Sequence, residues 1–427
     1  MPTQYLTTSN TLTRKNARHE VGMLADQLTP GGTLTDAFGR LRISTPYTLF
    51  DSQHRYADNG KWSKYTASGG DVVYVASESA VNLTVTSTPG STAIRETKRV
   101  MAYQPGKSLL IMSSFAMAPQ EGLTQRVGYF DSSNGIYLEN RSGTNYIMLR
   151  SESLGGEPIE IAQTQWNGDK FDGTGYTERT LNVSKTQIFW IDIEWLGVGD
   201  VRCGFIVDGK PVVAHTFHND NIREKPYMTT ACLPLRHEII NVSSTAGGTL
   251  KQICSTVISE GGYEQITKQW AATRNNITDF AVNTPTWMPI VSIRLNTTKI
   301  NSIVIPSQVH LAGTGNNAIY EYALVRNASI VGGEWITHTA SGGGVDYNAT
   351  ATSMNMTGAI IEDSGIFASS NQSSALVNAE LASRLESQVG RSLASASTYT
   401  TDTYTLAARS LASGVSVYGT LNWNTIV

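Results

Sequence analysis

The stretch from Ile188 to Phe217 limits what this chain can fold into more than any other. It reads Ile188-Phe-Trp-Ile-Asp-Ile-Glu-Trp-Leu196, the turn Gly197-Val-Gly-Asp200, Val201-Arg-Cys-Gly-Phe-Ile-Val207, the dipeptide Asp208-Gly209, and Val212-Val-Ala-His-Thr-Phe217. Successive side chains on a strand point to opposite faces. Phe189, Ile191, Ile193 and Trp195 therefore share one face, while Asp192 and Glu194 take the other, the solvent face. An Asp-Gly pair tolerates the positive φ angles that a two-residue hairpin needs. Strand, turn, strand, turn, strand in so short a space must be part of an antiparallel sheet with one apolar face, and that face needs a second layer.

The same signals recur from residue 61 to about 265. Val72–Ala76, Val81–Val85, Ser108–Phe115, Arg126–Phe130 and Ile136–Glu139 are strand candidates between clusters of Gly, Asn and Ser. A second strand-rich unit spans 266–427, with Trp287–Leu295, Ser302–Pro306, Ala318–Val325, Gly333–Thr337 and Val415–Trp423 as its best runs. Between them Val377, Leu381, Leu385 and Val389 recur every four residues, and this spacing predicts a helix over 373–390. Length suits two or three cores. With 38 Gly and only 16% charged residues, the polar surface is built on hydroxyls and amides, which suits sheets and turns. The expected architecture is all-β: an extended N-terminal arm over 1–60, a jelly-roll β-sandwich over 61–265 and a second β-sandwich over 266–427.

The arm, residues 1–60, has little periodic apolar surface but holds a dense block with Phe38, Tyr47, Leu49 and Phe50 among Arg40, Arg42 and Arg55. Ordering a free segment costs roughly 1–2 kcal/mol of backbone entropy per residue. Each buried anchor returns roughly 1.5–3 kcal/mol. Anchors alone cannot hold the whole arm, so it is expected to dock on another subunit or a neighbouring protein through those seven residues. The rival expectation is that 36–56 folds back on its own jelly roll.

A net charge of −3 supplies no field for nucleic acid, and the cluster Arg14-Lys-Asn-Ala-Arg18 is short and diluted. No apolar run reaches membrane-spanning length, and the N-terminus lacks the apolar core of a secretion signal. Three cysteines, Cys203, Cys232 and Cys254, without paired spacing, point to reduced, mostly buried thiols.

Tests for chemistry come out negative. The run Trp190-Ile-Asp-Ile-Glu-Trp195 is similar to the Glu-x-Asp-x-Glu strand of laminarinase-like retaining glycosidases, whose carboxylates serve as nucleophile and acid/base. Here Trp190 stands in the nucleophile's place, so the covalent step lacks an attacking group. Gly106-Lys-Ser108 lacks the earlier glycine of a phosphate-binding loop. His215 and His218 fall on opposite strand faces unless a bulge intervenes. Asn167-Gly-Asp-Lys-Phe-Asp-Gly173 resembles a calcium loop only loosely, because Phe171 fills a ligand position, and it is expected to be an ordered Asn/Asp turn. Neither a catalytic set nor a cofactor or metal site is expected.

The hairpin Val207-Asp-Gly-Lys-Pro-Val212 looks like the back-sheet hairpin of concanavalin-like and laminin-G-like jelly rolls. Longer blocks resemble a family of virion structural proteins from tailed bacteriophages. They are Asp36-Ala-Phe-Gly-Arg-Leu-Arg-Ile-Ser44, Pro46-Tyr-Thr-Leu-Phe-Asp-Ser-Gln-His-Arg-Tyr56, Tyr103-Gln-Pro-Gly-Lys-Ser108, Arg126-Val-Gly-Tyr-Phe-Asp131, Trp195-Leu-Gly-Val-Gly199 and Gln252-Ile-Cys-Ser-Thr-Val-Ile-Ser-Glu-Gly-Gly-Tyr263. The last third resembles the family through Trp287–Leu295 and Leu421-Asn-Trp423. The resemblance implies a particle component, made in the host cytoplasm, homo-oligomeric and bound to other virion proteins. A host-attachment role, with the jelly roll holding surface glycans, is the alternative. An outer groove lined by Trp62, Tyr65, Trp166 or Tyr176 would favour it.

Overall fold

The computed structural model describes residues 44–426 apart from 245–246, 275–285, 316, 339–343, 370–374, 381–386 and 413–415. The first unit contains β1 (Tyr47–Gln53), β2 (Trp62–Ala67), β3 (Asp71–Val75), β4 (Ala80–Val85), β5 (Thr92–Thr97), β6 (Leu109–Ala116), β7 (Leu123–Phe130) and β8 (Gly135–Arg141). It continues with β9 (Thr144–Arg150), β10 (Ile159–Ala162), β11 (Gln187–Ile193), β12 (Val201–Val207), β13 (Lys210–Phe217), β14 (Leu235–Asn241) and β15 (Gly248–Ser259). One sheet runs β13-β12-β11-β6-β15-β4-β3, with β1 also paired to β15; the other runs β10-β9-β8-β7-β14-β5-β2. Neighbours such as β15 beside β6 are far apart in sequence, which is the crossing pattern of a jelly roll. Phe189, Ile191 and Ile193 from one sheet meet Val127, Leu138 and Ile147 from the other in a single core. The β12–β13 hairpin turns at Asp208 and Gly209 with φ of 49° and 77°, as the Asp-Gly pair led us to expect.

The second unit contains β16 (Lys268–Arg274), β17 (Met288–Leu295), β18 (Ile303–Thr314), β19 (Ile319–Arg326), β20 (Ser329–Val331), β21 (Ile336–Thr337) and β22 (Val345–Asn348). After these come β23 (Ser353–Asn355), β24 (Ile360–Ala368), β25 (Ala375–Glu380), β26 (Arg391–Leu393), β27 (Tyr399–Thr401), β28 (Thr403–Ala412) and β29 (Ser416–Ile426). A four-stranded sheet, β16-β29-β18-β25, faces a six-stranded one, β21-β22-β17-β28-β19-β24. Leu311, Tyr320, Leu406 and Trp423 lie in the core between them. The whole is all-β.

Two expectations need correction. Ala375–Glu380 is a strand, not part of a helix: β25 pairs with β18, Val377 opposite Leu311. The four-residue spacing is a local signal, and an open sheet edge offers a ladder of backbone hydrogen bonds that local periodicity does not report. Tyr47–Gln53, expected within an arm over 1–60, is not part of one. β1 pairs along β15 from Tyr47↔Ser259 to Gln53↔Cys254 and is a strand of its own jelly roll.

The two units are joined through buried charge. The β26–β27 hairpin lies on the β2–β5 end of the second jelly-roll sheet, with Arg391 N–H donating to the Lys98 carbonyl and Leu393 N–H to Ser63 Oγ. Glu96, fully buried, accepts from Arg236 of β14 at 2.9 Å and from Arg391 at 3.0 Å. Burial raises the Glu96 carboxyl, and the two guanidinium groups only partly offset this. Val100, Ala102, Ile303 and Ile305 form a small apolar core at the same junction. From Glu96 a ladder of alternating sign crosses the outer face of that sheet: Arg236, Glu238, Arg126, Glu139, Arg141 and Glu160. Burial works against the Glu238 carboxylate, yet Arg236 and Arg126 hold it down to about 2.

Candidate binding cleft on the jelly roll

The eight-stranded sheet carries an open cleft of about 420 Å³ on its outer face. Its lining follows from strand register. Asp51 faces Thr256, which faces Met112 and then Trp190; in the next row Gln53 faces Cys254, and Ser114 faces Ile188. The adjoining strands β1, β15, β6 and β11 thus present two cross-strand rows of mixed polarity. Several of these polar groups are already engaged. Lys61 lies 3.2 Å from Asp51, Thr256 Oγ1 donates to the Phe50 carbonyl at 3.0 Å, and Cys254 N–H donates to Ser114 Oγ at 2.9 Å. The exposed Gln53 amide and the free, exposed Cys254 thiol complete the floor.

At the edge of this cleft lies the run that is similar to a glycosidase strand. Phe189, Ile191 and Ile193 point into the core as alternation requires. Trp190 packs on the outer face over Gly204, where an added Cβ would come within 2.9 Å of its ring, and its indole N–H donates to the Phe205 carbonyl at 3.3 Å. Asp192 was expected to face solvent but is only 6% exposed and is ion-paired to Arg202. Burial, with the Asp192 charge beside it, pushes the Cys203 thiol up. The strand ends at Ile193, so Glu194 sits past it, exposed, in a small hollow with Tyr103, Lys107 and Ser108. Trp195, also past the strand end, is half-buried against the same core and meets Tyr103 edge-on at 5.7 Å. The run does not assemble a carboxylate pair: one partner is neutralised by an arginine, and a packed indole replaces the attacking group.

Of the seven residues expected to dock on a partner, Phe38, Arg40 and Arg42 lie outside the described residues. Leu49 and Phe50 do not face a partner. Phe50 is 2% exposed and meets Trp62 edge-on at 5.7 Å, and both residues belong to the jelly-roll core. The cause is the open flank of β15, which pairs with β1 and turns these side chains inward. Tyr47 is 46% exposed and stacks on Tyr263 at 5.3 Å, and Arg55 is exposed over the Tyr56 ring. The aromatic groove does not form as anticipated either. Trp62 and Trp166 are core residues, Tyr65 is half-buried, and only Tyr176, 74% exposed, stands clear.

The remaining motifs have structural roles. Asp169 is buried and accepts from Phe171 N–H, Thr177 N–H and Thr177 Oγ1 at 2.7–2.8 Å. Burial disfavours its charge, but these donors bring its carboxyl below the usual value, and the loop is an Asn/Asp turn. Phe171 fills the core against Phe205. His215 accepts from Asn167 N–H, and His218 pairs with Asp200. Burial and His218 push the His215 imidazole down to about 4. Among the described residues no group of three or more His, Cys, Asp or Glu could hold a metal ion.

Sequence reasoning missed a buried polar cluster inside the jelly roll. Arg95 contacts Asp58, His54 and Gln252, and His237 lies beside Trp62 at 5.6 Å, fully buried. The only signal was a charged residue at an inward position of a strand, which alternation alone reads as an error.

No protein-family model matches the chain, and no curated protein matches it. Solved structures do. The carbohydrate esterase of Shiga toxin-encoding bacteriophage phi24B aligns at 12% identity and a TM-score of 0.30 over 51% of this chain and 100% of its own. A β-1,3-1,4-glucanase from a mouse hindgut metagenome aligns at 13% identity and 0.32 over 51% and 100%. The Emp47p carbohydrate recognition domain aligns at 11% identity and 0.33 over 50% and 95%. The likeness at these scores carries nothing about ligand or activity.

Proposed function

We propose that this chain is a structural component of a tailed-phage particle, working by protein–protein assembly and not by catalysis. The observation that carries the reading is the junction between the two sandwiches. Glu96, Arg236 and Arg391 are all buried there, with both arginines bonded to the Glu96 carboxylate. A buried ion triad is costly to separate, because each partner left alone keeps its desolvation penalty. The two units therefore move as one block, as a lattice or tail component requires. The blocks resembling virion proteins support it; one of them supplies β1, and another supplies most of β15. Non-catalytic status is supported by Trp190 and by the Asp192–Arg202 pair. Deleting this chain should abolish particle assembly or leave particles that lack a defined density and fail to infect, and antibody to the chain should decorate wild-type virions. Normal, undecorated particles from the deletion would overturn the reading. Release of reducing sugar from β-glucan or host capsule, lost in Glu194→Gln, would overturn the non-catalytic part.

A second reading, host attachment through glycans, is favoured by one observation, the open cleft over β1, β15, β6 and β11 with Gln53 free to bond a hydroxyl. A glycan array probed with the purified chain tests it: binding weakened by Gln53→Ala supports it, and a blank array refutes it.

A further inference from the structure

A second cleft, of about 430 Å³, opens where the two units meet. That volume falls in the range of small-ligand sites, roughly 300–1,000 Å³. Its walls come from both units: Asn134, Glu152 and Thr229 from the jelly roll, Arg391, Thr398 and Tyr399 from the hairpin. The site is built before any ligand arrives. Asn134 Nδ2 donates to Thr229 Oγ1 at 2.8 Å, while its Oδ1 accepts from the Thr229 and Glu152 backbone N–H groups. Thr229 Oγ1 in turn reaches Glu152 Oε2 at 3.1 Å. Across the cleft Arg391 lies over the Tyr399 ring at 4.0 Å, with its guanidinium on Glu96 and Asn301. Asp131 accepts from Asn301 Nδ2 at 3.0 Å, which closes the floor between the units.

The rim points to a ligand: the Ser397 and Thr398 hydroxyls and the Glu152 carboxylate are all exposed at the cleft, so it offers donors and acceptors together. A ligand with many hydroxyls matches that lining. Charge decides which kind: the buried Arg391 guanidinium is already paired with Glu96, so the Asp131 and Glu152 carboxylates of the lining repel an anionic ligand.

We propose that the interdomain cleft binds a neutral saccharide, with Glu152 accepting from its hydroxyls and Thr398 closing the rim. This deepens the attachment reading, moving recognition from the jelly roll alone to the junction, and is independent of the particle-component reading. The test uses the full chain against neutral and sialylated or uronic oligosaccharides, read by calorimetry and saturation-transfer NMR. Neutral sugars should bind, and acidic ones should bind more weakly. Glu152→Gln should weaken binding about tenfold or more, since a hydrogen bond to a charged group is lost. Thr398→Val should weaken it in the same direction, and Gln53→Ala in the other cleft should leave it unchanged. An unchanged thermal transition will show that both rim variants fold. No binding by neutral sugars at millimolar concentration, a preference for acidic ones, or binding lost in Gln53→Ala but kept in Glu152→Gln would each overturn the proposal. The last outcome leaves the attachment reading standing, whereas a loss of all glycan binding removes both; particle incorporation is scored separately.

Discussion

Replacing Arg391 by Met tests whether the buried triad holds the two sandwiches together. Met fills much of the arginine's volume without its charge, so the effect isolates the ion pair from simple cavity formation. Glu96 then keeps Arg236 at 2.9 Å and the Tyr399 hydroxyl at 3.3 Å but loses Arg391 at 3.0 Å. Removing one partner from a buried ion pair costs about 3–5 kcal/mol. Because Arg236 remains, the lower end of that range, about 3 kcal/mol, is the expected loss. The hairpin also bonds the jelly roll through the Arg391 and Leu393 backbones, so the junction should loosen and not dissolve. Scanning calorimetry should show a single transition in the wild type and, in Arg391→Met, a lower one that splits in two as the units uncouple. Adding Glu96→Gln should recover part of the loss, because the carboxylate that lacked its second partner is gone. A variant within about 0.5 kcal/mol of wild type, the range of ordinary surface substitutions, would refute the argument. So would a double variant less stable than the single one.

Three further outcomes follow from the same structure. Burial, with Arg95 and His54 alongside, holds His237 well below its ordinary value, so the folded chain keeps it neutral while the unfolded chain takes up a proton below about pH 6.5. Stability should be full above that pH and fall on acidification by up to about 1.4 kcal/mol per pH unit from this residue, a slope that chemical denaturation should find reduced in His237→Gln. Phe50→Ala should cost about 3–5 kcal/mol by urea unfolding, the loss for a large core side chain, whereas a partner-facing Phe50 would cost almost nothing. A thiol reagent should label exposed Cys254 at once in the native protein and reach Cys203 only on unfolding, the reverse order being fatal to the register of β15.

Alternation and turn chemistry made the strands legible before any coordinates. The faces of β11, the Asp208-Gly209 hairpin and the Asn/Asp turn around Asp169 are local properties, set by the two-residue period of a strand and by which residues tolerate positive φ. The absence of a nucleophile at position 190 was likewise legible, being a matter of residue identity. What the sequence could not convey is which distant strands meet. Tyr47–Gln53 reads as an arm because its own residues bury little against each other; it becomes a core strand because β15, far along the chain, has a free flank there. Ala375–Glu380 has helical spacing and becomes a strand because β18 offers an edge. Asp192 looked solvated until Arg202 arrived on the adjoining strand, and the charges of Glu96, Arg236 and Arg391 are tolerable only because folding brings them together. Local geometry follows from neighbours in the chain, while pairing and the burial of charge depend on contacts whose free energy exists only once the whole fold has closed.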